Sequence, residues 1–278
     1  MTGDPRQADV EASQALLDQV DRDDAVQLPA LSTAELCVLG AMQATLVDED
    51  AWSWWSGKAE AERFELSAMA LKFLVHRGLL AEPETGPAEP EPRPGEPEPG
   101  PGDESGASAT EDAPGESVGL PVRPLLAMIL AGRTQPSFIV VRREGAKAEP
   151  DRMRLYGIAE EGRGLRAVLA EEATGNHVSR FGPAYKYVLA SPAEAVRSLL
   201  RWVDRPPAGH RFGRRPSKVI DVYQPNKGTG PDLDRFEVRR SSAGLSVERN
   251  QDGTPIDCDE ETLGRHLSEL LSGPGSAA

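Results

Sequence analysis

Residues 82–117 constrain the fold of this chain more than any other stretch. They contain no aromatic residue and no Leu, Ile, Val, Met or Cys, and their only apolar side chains besides proline are four alanines. A segment of this composition cannot bury enough apolar surface to offset the entropy that is lost when a chain becomes ordered. We therefore predict that 82–117 is a disordered linker between two folded parts.

The predicted linker also carries much of the acidity of the chain. Of a net charge of −14, residues 82–117 contribute −10 and residues 1–81 contribute −8, whereas residues 118–278 have a net charge of +4. The Arg-rich segment 142–218 alone has a net charge of +7. At low ionic strength an acidic linker is expected to be attracted to such a segment; the alternative is a linker that acts only as a spacer.

Composition and local patterns together predict an α+β fold class. We expect a small helical N-terminal unit, a disordered Pro/Glu-rich linker, and a C-terminal antiparallel sheet flanked by helices. The predicted segments are an acidic flexible N-terminus at 1–28, a helical unit at 29–81, the acidic Pro/Glu/Gly linker at 82–117, an α+β domain at 118–272 and a flexible tail at 273–278.

The first helix of the N-terminal unit is predicted from a capping motif. Ser32-Thr33-Ala34-Glu35 is a capping box, in which the Ser32 side chain accepts from the backbone of Glu35 and the Glu35 side chain reaches back. Leu39, Met42 and Leu46 follow at helical spacing. We therefore expect a helix that runs from Ser32 through Leu46.

A second helix is predicted over residues 59–77. Its apolar stripe consists of Phe64, Ala68, Leu71 and Val75, with Leu74 beside it. Gly78 stands where a left-handed residue ends many helices, and Leu79 is placed to fold back in a Schellman cap.

Three of the four tryptophans, Trp52, Trp54 and Trp55, lie between these two predicted helices. Tryptophan is enriched in the residues that dominate protein–protein binding. The alternative is that the rings cover a small helical core, because a two-helix unit has little else to seal it.

The C-terminal part alternates strand-like and helix-like patterns. The predicted strands are 138–142, 153–158, 165–170 (or, less favoured, a helix start), 185–189 and 218–223, and a hairpin is expected around 241–244. The predicted helices are 120–133, one opened by the capping box Ser191-Pro192-Ala193-Glu194, and a last one capped by Asp257 or Asp259. Two of these helices follow strands in the same way, which indicates a repeated architecture.

No catalytic constellation, metal site or cofactor site is predicted. The single Gly-x-Ser-x-Gly stretch, Gly115 to Gly119, overlaps the end of the predicted linker and lacks the strand before it that a nucleophile elbow needs, and the sequence has no P-loop. Its two cysteines, Cys37 and Cys258, have no Cys or His at metal-ligand spacing.

No apolar run approaches the roughly 20 residues that cross a bilayer, and the first residues form no signal-peptide core. We expect a cytoplasmic protein that is not an enzyme and is not bound to a membrane.

One alternative function is that of a DNA-binding transcriptional regulator. Residues 31–80, with a capped helix and a helix that ends in Val75-His76-Arg77-Gly78-Leu79-Leu80, resemble the start and end of MarR-type winged-helix domains. Phosphate contacts call for a basic face, whereas residues 29–81 have a net charge of −3. Nucleic acid is therefore the less favoured partner.

Other motifs resemble the EspG family, the actinobacterial chaperones of type VII secretion. They are Leu31-Ser32-Thr33-Ala34-Glu35-Leu36, the helix from Phe64 to Leu80 with Arg77-Gly78-Leu79, the helix Leu125–Leu130, the strand Phe138–Arg142, the stretch 165–170, and Ala190-Ser191-Pro192-Ala193-Glu194. The resemblance covers roughly half to two-thirds of the chain; the acidic linker is not part of it. It implies a cytosolic, non-catalytic protein that holds an aggregation-prone partner.

The leading hypothesis is therefore a non-catalytic, chaperone-like adaptor in an actinobacterial-type cytoplasm that binds a protein partner. The candidate binding residues are Trp52, Trp54 and Trp55 between the N-terminal helices, and Arg142 and Arg143 at the start of the Arg-rich segment.

Overall fold

The computed structural model describes residues 5–40, 49–81, 123–145, 150–160, 162–206, 217–224, 232–241, 244–250 and 253–272. The predicted linker at 82–117 and the predicted tail at 273–278 lie outside these residues.

Helices and strands make up most of the described residues. The helices are α1 (Pro5–Asp23), α2 (Thr33–Val38), α3 (Glu49–Ser56), α4 (Glu60–His76), α5 (Pro124–Thr134), α6 (Pro192–Asp204) and α7 (Glu260–Ser272). The strands are β1 (Ala25–Ser32), β2 (Ile139–Glu144), β3 (Pro150–Glu160), β4 (Gly164–Ser179), β5 (Gly182–Ala190), β6 (Lys218–Gln224), β7 (Asp232–Ser241), β8 (Gly244–Arg249) and β9 (Ile256–Cys258).

Within the described part of the chain, nine strands form one sheet in the order β1-β5-β4-β3-β2-β6-β7-β8-β9. Every neighbouring pair is antiparallel. Helices pack on both faces of the sheet, so the α+β prediction of an antiparallel sheet flanked by helices is confirmed.

The two faces of the sheet hold different cores because successive side chains of a strand point to opposite faces. On β2, Ile139 and Val141 join the core that contains residues of α1 to α5, and we call this side the first face. Val140 joins the core that contains residues of α6 and α7, on the second face. The first face is thus covered by elements from both sides of the predicted linker.

The sheet contains two meanders in the same order of elements. β2 to β5 lead into α6, and β6 to β9 lead into α7. β2 pairs with β6 between the two meanders, so β5 and β9 occupy equivalent places in them. The order of elements agrees with the repeated architecture that the sequence indicates.

The N-terminal 28 residues differ from the expected flexible segment. Residues 5–23 form α1, and β1 pairs antiparallel with β5 from Ala25↔Ala190 to Ser32↔Ala184. Val20, Leu28 and Leu31 are buried in the core of the first face. Burial of these side chains, together with the strand pairing, opposes the chain entropy that keeps most termini loose.

The helix that begins at Ser32 is shorter within the described residues than predicted. The capping box is present, since Ser32 Oγ accepts from Glu35 N and Ser32 N donates to Glu35 Oε2. However, α2 ends at Val38, and Gly40 adopts a left-handed φ of +68°. Met42 and Leu46, which were expected to continue the helix, lie outside the described residues.

The second predicted helix is present as α4, but its buried face is different. Leu66, Ala70 and Leu74 are buried, whereas Phe64 is 77% exposed. The predicted stripe was therefore wrong at Phe64 and at Ala68, which is also exposed, whereas Leu71 and Val75 are partly buried. The core follows Leu66 because it lies on the same side of the helix as Leu74, eight residues further on.

The predicted Schellman cap at the end of α4 is confirmed. Gly78 has a φ of +67°, and its N–H donates to Val75 O at 2.8 Å. The N–H of Leu79 donates to Leu74 O at 2.8 Å, and Leu79 itself is buried. This cap turns the chain back towards the core.

Most of the C-terminal predictions agree with the structure. Residues 165–170 lie in a strand, β4, and the two residues of the β7–β8 connection, 242–243, lie outside the described residues. Ser191 Oγ caps α6 by accepting from Glu194 N, although the Ser191 N–H donates to Asp24 O instead of the Glu194 carboxylate. Asp259, rather than Asp257, caps the last helix by accepting from Thr262 N at 2.8 Å.

Candidate functional site

The predicted tryptophans lie on α3, which packs near α2 and β5. Trp54 is half-buried against Gly182 in the β4–β5 turn, where an added Cβ would lie 2.7 Å from Trp54 Cε3. Gly182 also has a φ of +81°, so both its backbone conformation and the close Trp54 ring favour glycine at this position. Trp55 is half-buried with its ring centroid 6.1 Å from that of Trp54. Trp52, in contrast, is 53% exposed.

The β4–β5 turn is fixed against the N-terminal helices by backbone and side-chain bonds. The N–H of Ala34 donates to Phe181 O at 3.1 Å, and Thr33 Oγ1 donates to Pro183 O at 2.9 Å. Both donors belong to the first turn of α2. The turn is thus held in a defined position, together with the side chains that it presents.

Phe181, next to Gly182 in this turn, contacts an exposed residue of α4. Its ring packs edge-on against Phe73 with centroids 5.3 Å apart, and Phe73 remains 48% exposed. Trp54 and Phe73 thus both contact residues at the same turn. We call Trp52, Trp54, Phe73 and Phe181 the aromatic surface.

The position of α4 is set by Arg77 at its C-terminal end. Arg77 Nη1 donates to Glu35 Oε1 at 2.8 Å, and Nη2 donates to Ala30 O at 2.7 Å. These bonds join α4 to α2 and to β1. An exposed ion pair, Arg180 with Glu65 at 4.0 Å, lies between the β4–β5 turn and α4.

The candidate residues Arg142 and Arg143 lie on β2, away from the three tryptophans of α3, which packs near β5. Arg142 is buried on the second face, with its guanidinium 5.0 Å from the centre of the Trp202 ring. Arg143 lies on the opposite face, where its Nε donates to Asp221 Oδ2 at 2.9 Å. Arg235 Nε donates to the other oxygen of that carboxylate at 2.6 Å. Both arginines therefore make internal contacts.

A buried polar cluster lies beneath α5, and the sequence did not predict it. Arg133 Nη1 donates to Glu171 Oε2 and, at 3.1 Å, to Tyr187 Oη. Tyr156 Oη donates to Glu171 Oε1 at 3.1 Å, and Arg154 Nη1 lies 3.9 Å from that oxygen. The only local signal is a charged residue, Arg133, near the end of an otherwise apolar helix.

The Tyr187 phenol and the Cys37 thiol, which both lie near Arg133, have raised pKa values. Burial raises the pKa of the Tyr187 phenol well above its usual value, against the opposing influence of Arg133. Burial likewise raises the pKa of the Cys37 thiol to about 12, and again the Arg133 charge opposes the shift. A thiol with this pKa is almost entirely protonated near neutral pH and is a poor nucleophile.

A groove of about 630 Å³ lies on the second face, between α7 and the strands from β6 to β9. Its apolar lining includes Phe236, Val247 and Leu270. Ile256 of β9 also lines it and is 65% exposed. Its polar lining includes Asp234, Arg249, His266 and Glu269. The groove is open enough to receive side chains of another molecule.

Two further properties concern only the residues that the structure describes. They contain no group of three or more His, Cys, Asp or Glu side chains arranged to hold a metal ion. No helix among them has the length and apolar character needed to cross a membrane.

No model of a protein family matches the chain, and no curated protein matches it in sequence.

Proposed function

We propose that the chain is a non-catalytic, chaperone-like adaptor that receives an apolar segment of a partner protein on the aromatic surface. The observation that carries this proposal is the exposure of Phe73 against a turn that the fold holds in place, together with exposed Trp52 on α3, the helix whose Trp54 packs on that turn. Large aromatic side chains lose little conformational entropy on binding and dominate the energy of many interfaces.

The construction of the aromatic surface supports this role. Phe181 and Trp54 are anchored through the bonded β4–β5 turn, whereas Trp52 and Phe73 keep about half of their surface in water. Contact between these side chains and an apolar segment would remove that surface from water, at roughly 25 cal/mol per Å². A partner would thus meet a prearranged site.

The resemblance to the EspG family supports the same class of function. That family implies a cytosolic protein that holds an aggregation-prone partner, and a surface of exposed aromatic residues suits a partner of this kind. We accordingly propose the cytoplasm as its location.

The proposal is tested with variants of the two most exposed aromatic residues. Tagged wild-type chain and the variants Trp52→Ser and Phe73→Ser are used to capture proteins from an actinobacterial lysate, which are then quantified by mass spectrometry. We expect a specific partner whose recovery falls at least tenfold in both variants. Leu233→Ser, at an exposed apolar residue of β7, is the matched control and should retain the partner.

Two results would contradict the proposal. One is a partner that Trp52→Ser and Phe73→Ser capture as well as the wild type. The other is binding of random duplex DNA that weakens steeply with added salt, which would favour the DNA-binding alternative. Exposed Glu60, Glu62 and Glu65 on α4 would oppose such binding by repelling phosphates.

We also propose that the acidic linker at 82–117 competes with an acidic partner for the C-terminal part. Several basic residues of segment 142–218 already face carboxylates, including Arg166 with Asp21 and Arg197 with Asp24. The net positive charge of this segment that can attract the linker is therefore smaller than the +7 counted from the sequence. Deleting 82–117 should strengthen capture of such a partner at low ionic strength, and an unchanged affinity would rule the competition out.

A further inference from the structure

The two meanders of the sheet end differently at their outer strands. β5 has a further strand beside it, because β1 pairs with its outer edge in antiparallel orientation. β9 occupies the equivalent place in the second meander, yet no strand of the described residues pairs with its outer edge. An edge strand with unpaired backbone groups can accept an additional strand from another molecule.

The groove on the second face lies beside this edge. Ile256 and Cys258 of β9 line it on one side, and His266 and Leu270 of α7 line it on another. A strand added to β9 would direct every second side chain to the face on which Ile256 lies, because side chains alternate along a strand. The groove therefore offers space for side chains of an added strand.

Charge indicates what kind of strand would bind here. Asp257, Asp259, Glu260 and Glu261 follow one another from β9 into the first turn of α7, and all are exposed. Glu269 adds a further carboxylate at the groove. These groups would attract a segment that carries Lys or Arg beside its apolar residues.

We infer that the outer edge of β9 binds an extended, basic segment of a partner protein, which pairs antiparallel with β9 and places apolar side chains in the groove. This site is separate from the aromatic surface, which lies near β5 on the other side of the central β2–β6 pair. The inference therefore does not depend on the function proposed for that surface.

Two other occupants are disfavoured by the same charges. A second copy of the chain that paired through its own β9 would bring two sets of Asp257, Asp259 and Glu260 together. The linker at 82–117, with its net charge of −10, would be repelled as well. A basic partner segment is the occupant that the charges of this edge favour.

The experiment uses the full-length chain and labelled ten-residue peptides as probes. One peptide alternates Val and Lys, a second alternates Val and Glu, and a third is the Val/Lys peptide with N-methyl groups on alternate backbone nitrogens. Fluorescence anisotropy at low ionic strength measures their binding. We expect the Val/Lys peptide to bind at least tenfold more tightly than either of the others, because they lack the complementary charge or the strand hydrogen bonds.

Variants then locate the binding. Ile256→Lys should weaken binding of the Val/Lys peptide at least tenfold, because it adds a repelling charge beside β9, and far-UV circular dichroism checks that its fold is retained. Glu269→Gln tests the groove without changing size and should weaken binding to a lesser degree. Phe64→Ser, at an exposed residue of α4 outside the aromatic surface, is the control and should bind the peptide like the wild type.

Three results would overturn the inference. Equal binding of the N-methylated and unmethylated Val/Lys peptides would show that no strand pairing occurs. Full affinity in Ile256→Lys would place the binding elsewhere. A dimer of the wild-type chain that Ile256→Lys converts to a monomer would show that a second copy occupies the edge.

Discussion

Glu171 is held in the interior by side chains from two elements, α5 and β3. Arg133 of α5 and Tyr156 of β3 donate to its two oxygens, and Arg154 of β3 lies 3.9 Å from one of them. A buried carboxylate without such partners would incur a large desolvation cost. The cluster joins α5 to the sheet through the bonds of Arg133 to Glu171 of β4 and Tyr187 of β5.

We expect Glu171→Gln to lower the free energy of unfolding by about 3–5 kcal/mol, because it leaves the buried Arg133 guanidinium without its counter-charge. The matched control is Glu160→Gln, which removes a carboxylate from a more exposed pair with Arg163. That change should cost at most about 1 kcal/mol. Urea unfolding followed by circular dichroism measures both; equal effects would show that the buried cluster has no special role in stability.

The two cysteines should differ in reactivity. Burial raises the pKa of Cys37 to about 12, and burial together with the nearby Asp259 and Asp257 carboxylates also raises the pKa of Cys258. In single-cysteine variants at pH 8, we expect Cys37 to react at least tenfold more slowly than Cys258 with an aromatic disulfide reagent. The rates should converge in 8 M urea, and a faster reaction at folded Cys37 would contradict this assignment.

The raised pKa of Cys37 also has a consequence for stability at alkaline pH. Below the ordinary thiol pKa of 9.0, both the folded and the unfolded chain keep this proton. Between pH 9 and 12, the unfolded chain releases it first, so stability is lost as the pH rises. Cys37→Ala should make the loss of stability over this window smaller, as measured by urea unfolding at a series of pH values.

Local motifs were predictable at the residue scale, and distant partners were not. The Ser32–Glu35 capping box and the left-handed Gly78 depend on residues a few positions apart, and both are present. Arg133 and Glu171 are 38 residues apart, and no periodicity links them. Such pairs become visible only when the strand order is known.

At the scale of elements, α4 shows that an apolar stripe can be assigned to the wrong side. Phe64 belongs to the predicted stripe but points to solvent, whereas Leu74 is fully buried. We expect Leu74→Ala to cost about 2–5 kcal/mol in the free energy of unfolding, because it leaves a cavity in the core. Phe64→Ala should cost less than about 0.5 kcal/mol. Comparable losses for both variants would mean that the helix is rotated from the orientation described.

β1 is one of the elements that local patterns did not reveal, as are α3 and β9. Its sequence contains Pro29, and proline within a run argues against a central strand. The structure accommodates it because β1 lies at an edge of the described sheet and its register with β5 shifts between Leu28 and Leu31. The pairing partner lies more than 150 residues away, so the sequence near β1 carries no signal for it.

At the scale of the whole molecule, the two parts that flank the predicted linker share one sheet and one core. β1 extends the C-terminal sheet, and Leu74 of α4 lies in the same core as Leu126 and Ile129 of α5. Charge adds to this docking, since acidic residues of the N-terminal part meet arginines of the C-terminal part. The prediction of an α+β sheet with helices was correct, but the sequence did not show that the N-terminal part supplies a strand.

We expect the chain to survive a cut in the predicted linker. A specific protease site inserted between Gly100 and Pro101 should yield two pieces that elute together and unfold in a single thermal transition, because the first-face core joins them. Separate elution or two transitions would contradict a shared core. In the control variant Leu28→Asp, which places a charge in that core, the cut pieces should separate.

β1 also makes the order of synthesis matter. The Gln27 side chain donates to the backbone oxygen of Tyr187, 160 residues later in the chain. At about 5–20 residues per second on the ribosome, roughly 8 to 32 seconds pass before the partner strand is made. Throughout this interval Leu28 and Leu31 have no partner strand. Pairing with the sheet therefore cannot protect the nascent N-terminal segment from aggregation until β5 has been made.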